Sequence, residues 1–133
     1  DFPTDEMLCV DGVIAIPHLG ASTPESEDNC ADMAARQLID YIENGNIANS
    51  VNMPEISMPR SGKYRVCVIH KNIPNMLTAI TGIVAENNVN IENMLNKSRG
   101  DYAYTMIDVN VEATSEIEER IAAVDGVIRV RVI

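Results

Sequence analysis

The feature that most constrains this sequence is the order in which two hydrophobic periodicities alternate along residues 64–133. Tyr64–His70 is strand-like, and Pro74 then opens a helix whose Leu77, Ile80, Thr81 and Val84 share one stripe and which ends near Asn87-Asn88. Val89–Ser98 and Tyr102–Val111 flank Arg99-Gly100-Asp101, a hairpin signal with glycine in the turn. Thr114 or Ser115 caps a helix carrying Ile117, Ile121 and Val124, Gly126 ends it, and Val127–Ile133 closes as a strand. A β-α-β-β-α-β order of this length packs two helices on one face of a four-stranded antiparallel sheet, an α+β, ferredoxin-like arrangement.

The upstream residues follow a different pattern. Val13-Ile14-Ala15-Ile16 is apolar on both faces and reads as a short buried strand of a parallel sheet. Ser22 or Thr23 caps the next segment and Pro24 suits its first helical position. Cys30, Met33, Ala34, Leu38, Tyr41 and Ile42 recur at helical spacing until Asn44-Gly45, which predicts a helix over 24–44. Residues 46–63, with Pro54, Pro59 and Gly62, lack sustained periodicity and read as a linker with Ser61-Gly62 as its only hinge-like pair. The expected division is 1–60, a strand and long helix from an α/β nucleotide-binding domain plus linker, and 61–133, the small domain. The apolar stripe of the 24–44 helix then needs a cover: a second copy, an exchange between copies, or the small domain.

Composition excludes several functions. Twenty acidic against ten basic side chains give a formal charge of −10, which repels nucleic-acid phosphates and anionic membranes. The apolar runs are too short for a membrane span or signal peptide. Cys9, Cys30 and Cys67 are widely spaced, which suits reduced thiols in a cytoplasmic protein and argues against a metal site. The start at Asp1-Phe2-Pro3-Thr4, without Met, suggests a piece of a longer protein.

Two clusters carry chemistry. His18, in Pro17-His18-Leu19-Gly20-Ala21-Ser22-Thr23, lies between the expected strand and helix, where a histidine can move a proton at a carbonyl or hydroxyl carbon. Judged on position alone, such a loop histidine more often just hydrogen-bonds backbone. The second cluster is His70-Lys71-Asn72-Ile73-Pro74, at a helix start whose free N–H groups seat a carboxylate, with Asn90 beginning the neighbouring strand. Together they offer the donors and acceptors an amino acid needs. Spacing alone favours the simpler reading of Asn72 as a helix cap and Asn90 as a turn residue. Arg129 and Arg131 read as a solvated face, and Arg99-Gly100-Asp101 as a turn rather than an adhesion motif.

The stretch from Val13 to Ser26 resembles the surroundings of the catalytic histidine in D-2-hydroxyacid dehydrogenases, most closely their phosphoglycerate branch. Asn49-Ser50-Val51-Asn52-Met53-Pro54-Glu55 is similar to the segment by which that branch leaves its catalytic domains. The resemblance implies an NAD-dependent oxidoreductase in which His18 protonates the keto oxygen and His18, Leu19, Gly20 and Ala21 lie along the nicotinamide. It also implies a dinucleotide loop, a carboxylate-binding Arg and a Glu paired with the histidine upstream of Asp1. Residues 1–133 contain no G-x-G-x-x-G, so this chain alone is expected to be inactive.

Val68–Leu77, Ala85–Ile91 and Tyr104–Val109 resemble the ACT domain in the form found in serine-regulated enzymes. That likeness implies L-serine as effector, contacted by the positions of His70, Asn72 and Asn90 across an interface between two domains, and hence a homo-oligomer formed through them. The alternative is an ACT domain that only holds an oligomer together. Family members usually carry glycine where this chain has Asn75, a departure that bears on ligand affinity.

Overall fold

The computed structural model describes residues 2–111 and 115–133. Thr114, one of the two expected caps of the last helix, lies outside the described residues, as does Asp1. The chain divides into two compact units, Asp1–Arg36 and Gln37–Ile133.

The first unit contains a single-turn helix α1 (Asp5–Leu8), which the sequence pattern did not announce, and most of a long helix α2 (Pro24–Asn44). The amide of Ser26 donates to Thr23 Oγ1 at 3.2 Å, so Thr23 rather than Ser22 caps α2. The strand expected at 13–16 does not form, and Val13, Ile14 and Ile16 are exposed. A parallel strand exists only when neighbouring strands take up its N–H and C=O groups. Among the described residues this segment has no such neighbour, and an apolar run alone does not make one.

The second unit holds the anticipated β-α-β-β-α-β order: β1 (Tyr64–Lys71), α3 (Met76–Glu86), β2 (Ile91–Arg99), β3 (Tyr102–Val109), α4 (Ser115–Ala122) and β4 (Val127–Val132). The strands lie in the order β2-β3-β1-β4, with every pair antiparallel. Period-2 alternation sorts their side chains between two faces. Val66, Val68, Ile107 and Val109 pack against Met76, Ile80 and Val84 of α3 and Ile117 and Ile121 of α4. Each fully buried Ile or Val contributes about 1.5–3 kcal/mol, so this layer is the main source of stability.

Cys67, Tyr104 and Met106 face the opposite side and meet Ile56 and Met58, with Tyr41 and Ile47 beside them. The stretch read as a linker is therefore a packed strap. Ile47 and Ile56 form an isolated antiparallel bridge, and Arg99 Nη1 donates to Ser50 O at 2.8 Å. Ser61-Gly62 is fastened rather than free: Ser61 N donates to Asp108 Oδ2 at 2.8 Å, and a Cβ on Gly62 would meet Val109 O at 2.6 Å.

Arg131 also departs from the solvated-face reading. Its guanidinium lies 4.4 Å from the Tyr41 ring centroid and donates through Nη2 to Tyr41 O, while its Nε is buried with no hydrogen-bond partner among the described residues. Arg129 remains exposed. Of the expected α2 stripe, Tyr41 is partly covered by the strap side of the sheet, whereas Met33, Leu38 and Ile42 are exposed.

Candidate functional site

β1 delivers His70 to its C-terminal end, where a register shift between Ile69 and His70 interrupts the pairing with β4. His70 is only 2% exposed. The chain then turns sharply. Asn72 N donates to Asp101 O at 2.8 Å and Asn72 Nδ2 to Gly100 O at 3.1 Å, which clamps this loop to the β2–β3 turn. Asn75 precedes α3 with φ +69° and makes no side-chain capping bond. Its left-handed backbone is the conformation that Gly, and among other residues chiefly Asn or Asp, adopts readily.

These turns border a partly open cavity of about 190 Å³ lined by His70, Asn72, Ile73, Asn75, Met76, Leu77, Thr78 and Asn96. The first-turn N–H groups of α3 lack intrahelical partners and carry the positive end of the helix dipole. The polar side chains of the wall are the His70 imidazole, the Thr78 hydroxyl and three asparagine amides, set among apolar groups, with no carboxylate or ammonium side chain.

His70 is held from two sides. Nδ1 lies 2.8 Å from Lys71 O, and because a carbonyl only accepts, Nδ1 carries a proton there. Nε2 lies 2.9 Å from Thr105 Oγ1, and Thr105 Oγ1 lies 2.8 Å from Asn96 Oδ1. Thr105 is fully buried.

Of the residues singled out from sequence, His70 and Asn72 thus meet at one cavity. Asn90 does not line it; it is exposed and donates through Nδ2 to Glu92 Oε1 at 3.0 Å. Asn75, singled out from sequence as a departure that bears on ligand affinity, also lines the cavity, whereas Asn96 and Thr105 carry no sequence expectation of a site role. Asn96 and Thr105 were nonetheless within reach of sequence reasoning, since counting back from the Arg99–Tyr102 turn pairs Asn96 with Thr105. In the first unit His18 is exposed and stacks on Phe2 with ring centroids 5.1 Å apart, and Leu19, Gly20 and Ala21 are exposed beside it. No group of His, Cys, Asp and Glu among the described residues is arranged to hold a metal ion, and no helix among them is long and apolar enough to cross a membrane.

Residues 66–129 match the AHAS small subunit-like ACT domain family, and the β-α-β-β-α-β unit has the α+β, ferredoxin-like ACT fold. Nearly the whole chain is in turn similar to the C-terminal portion of D-3-phosphoglycerate dehydrogenases. The Escherichia coli K12 enzyme is 37% identical over 98% of this chain, and Saccharomyces cerevisiae D-3-phosphoglycerate dehydrogenase 2 is 34% identical over 87%. The chain spans only about a third or less of these curated relatives, 33% and 25% of their lengths respectively. Among solved structures, the ACT domain from GTP pyrophosphokinase of Chlorobium tepidum aligns with 53% of this chain and 95% of its own length, at a TM-score of 0.47 and 16% identity.

Proposed function

We propose that this chain is the regulatory end of an NAD-dependent D-3-phosphoglycerate dehydrogenase of L-serine biosynthesis, and that its ACT domain binds L-serine for feedback inhibition. The observation that carries this reading is the His70–Asn72 cavity at the start of α3, in a chain similar to that enzyme over almost its whole length. A cavity below the roughly 300 Å³ typical of drug-sized sites suits a small ligand. The first-turn amides would take the carboxylate, and the side chains of His70, Asn72 and Asn75 the remaining polar groups. Asn90 lies outside the cavity of its own copy, so in this reading it reaches the effector from a second ACT domain, which makes the regulatory unit a homodimer. Inhibition follows if serine binds the slow arrangement of the enzyme more tightly than the fast one.

In the parent enzyme His18 would donate the proton to the keto oxygen, with Leu19, Gly20 and Ala21 along the nicotinamide. The residues present here do not by themselves fit a dinucleotide. The His18–Ala21 loop is exposed, and the chain has no glycine-rich phosphate loop. NAD binding and hydride transfer therefore belong to the parent enzyme in this proposal, with residues 1–60 attached to its catalytic part, residues 61–133 acting as the ACT domain, and the cytoplasm as its compartment.

Calorimetric titration of the chain with L-serine tests the effector site. Saturable heat that Asn72→Ala removes is the expected result, and absence of heat at millimolar serine from a folded, dimeric protein would overturn it. The placement of Asn90 also favours a second reading, an ACT domain that holds the oligomer together without an effector. In that case Asn72→Ala and Asn90→Ala would leave both dimer and enzyme kinetics unchanged.

A further inference from the structure

Asn96 reaches the cavity wall with its amide fixed from behind. The chain of contacts behind it is closed: Lys71 O to His70 Nδ1 at 2.8 Å, His70 Nε2 to Thr105 Oγ1 at 2.9 Å, and Thr105 Oγ1 to Asn96 at 2.8 Å. Counting protons along it shows what Asn96 presents. Thr105 has one hydroxyl proton. When the imidazole is neutral, Nε2 needs that proton. Thr105 Oγ1 must then accept from the Asn96 NH2 group, which a half-turn of the amide allows, and the Asn96 carbonyl is left for the cavity. When the imidazole is charged, Nε2–H donates to Thr105, Thr105 donates to Asn96 Oδ1, and the NH2 group is left for the cavity. In both states one amide atom of Asn96 has no partner among the described residues.

We propose that Asn96 is a specificity-determining residue, selecting a ligand whose side chain carries a hydroxyl over one that carries a methyl group. The inference rests on the amino-acid-binding reading of the same cavity. A hydroxyl both donates and accepts, so it satisfies Asn96 in either state of the relay. A carboxylate or an ammonium satisfies only one state, and no Lys, Arg, Asp or Glu side chain in the wall pairs with either. A methyl satisfies neither and leaves a half-buried amide group without a partner, which weakens binding. Thr105 acts through Asn96 and is a positioning residue.

The test is the ratio of L-serine to L-alanine affinity, measured by calorimetry on the parent chain, Asn96→Leu and Thr105→Val, each checked for cooperative thermal unfolding. The parent is expected to prefer serine by roughly 10-fold or more, the range one hydrogen bond to a buried group supports. Asn96→Leu should bring serine down to the level of alanine while alanine changes little. Thr105→Val, which removes the hydroxyl that fixes Asn96, should narrow the ratio in the same direction and carries the test if Asn96→Leu does not fold. A parent that binds both amino acids equally, or folded variants that keep the parent's ratio or lose both ligands alike, would overturn this inference while leaving amino-acid binding standing. A parent that binds neither amino acid removes both.

Discussion

Asn75 holds φ +69° immediately before α3, in a region where a Cβ is normally unfavourable, and its side chain makes no capping bond there. That geometry changes the meaning of its departure from the glycine usual in resembling domains. The position demands a left-handed backbone, and asparagine supplies it nearly as well as glycine. Asn75→Gly should therefore leave thermal stability almost unchanged, whereas Asn75→Ala should cost about 1–2 kcal/mol, read from chemical denaturation. A sequence shows that a residue is unusual, but the sign of φ at that position is set by how β1 must turn into α3. Cys67 teaches a related lesson. Burial pushes its thiol up, against the lowering effect of Tyr104 and of the neighbouring arginines, and the residue is core rather than reactive.

At the scale of elements, the end of α2 shows what periodicity reads and what it misses. The limits of the helix were legible because Thr23-Pro24 and Asn44-Gly45 are strong start and stop signals. What receives it was not. Three side chains from the sheet meet its last carbonyls: Arg131 donates to Tyr41 O, Arg65 Nη1 to Asn44 O at 2.7 Å, and Tyr104 Oη to Gly45 O at 2.9 Å. Two are cations at the negative end of a helix dipole. Burial pushes the Tyr104 phenol up, so it stays a donor. Gly45, at φ +75°, leaves no room for more, since a Cβ there would meet Cys67 Sγ at 2.6 Å. Tyr104→Phe leaves a buried carbonyl without its donor, and should cost about 1–3 kcal/mol and speed amide hydrogen exchange in the last turn of α2. The strap lies within residues 46–63, which read as a linker because their apolar groups, Ile47, Ile56 and Met58, follow neither period. They are placed by the sheet face they cover rather than by any local rule.

Across the molecule, one ion pair ties these layers together. Arg65 Nε lies 2.6 Å from Asp108 Oδ1, both side chains are fully buried, and Asp108 also accepts from Ser61. Burial raises the carboxyl of Asp108, but the Arg65 and Ser61 hydrogen bonds outweigh it and hold the group below its ordinary value. A lowered folded-state pKa adds stability that is fully present above the unfolded value, about 3.9, and is lost as the pH falls through the folded one. Asp108→Asn should cost about 3–5 kcal/mol at neutral pH, and its gap in Tm from the parent should shrink once the pH drops below about 4. A gap that stays constant down to acid would show that the charge of Asp108 is not what stabilises the fold. The sequence made the β-α-β-β-α-β order legible because local signals delimit each element. It hid this pair because Arg65 and Asp108 sit at alternating positions that look solvent-facing until the strap covers them.

That cladding also bears on where this module could be divided. A cut near Pro59, natural in the sequence, would remove Ile56 and Met58, strip the donors on Arg65, Tyr104 and Arg131 of their acceptors, and bare an entire sheet face. The smallest portable piece therefore begins inside a helix, near Gln37, and any rearrangement that moves this sheet as a cassette has to carry the end of that helix with it.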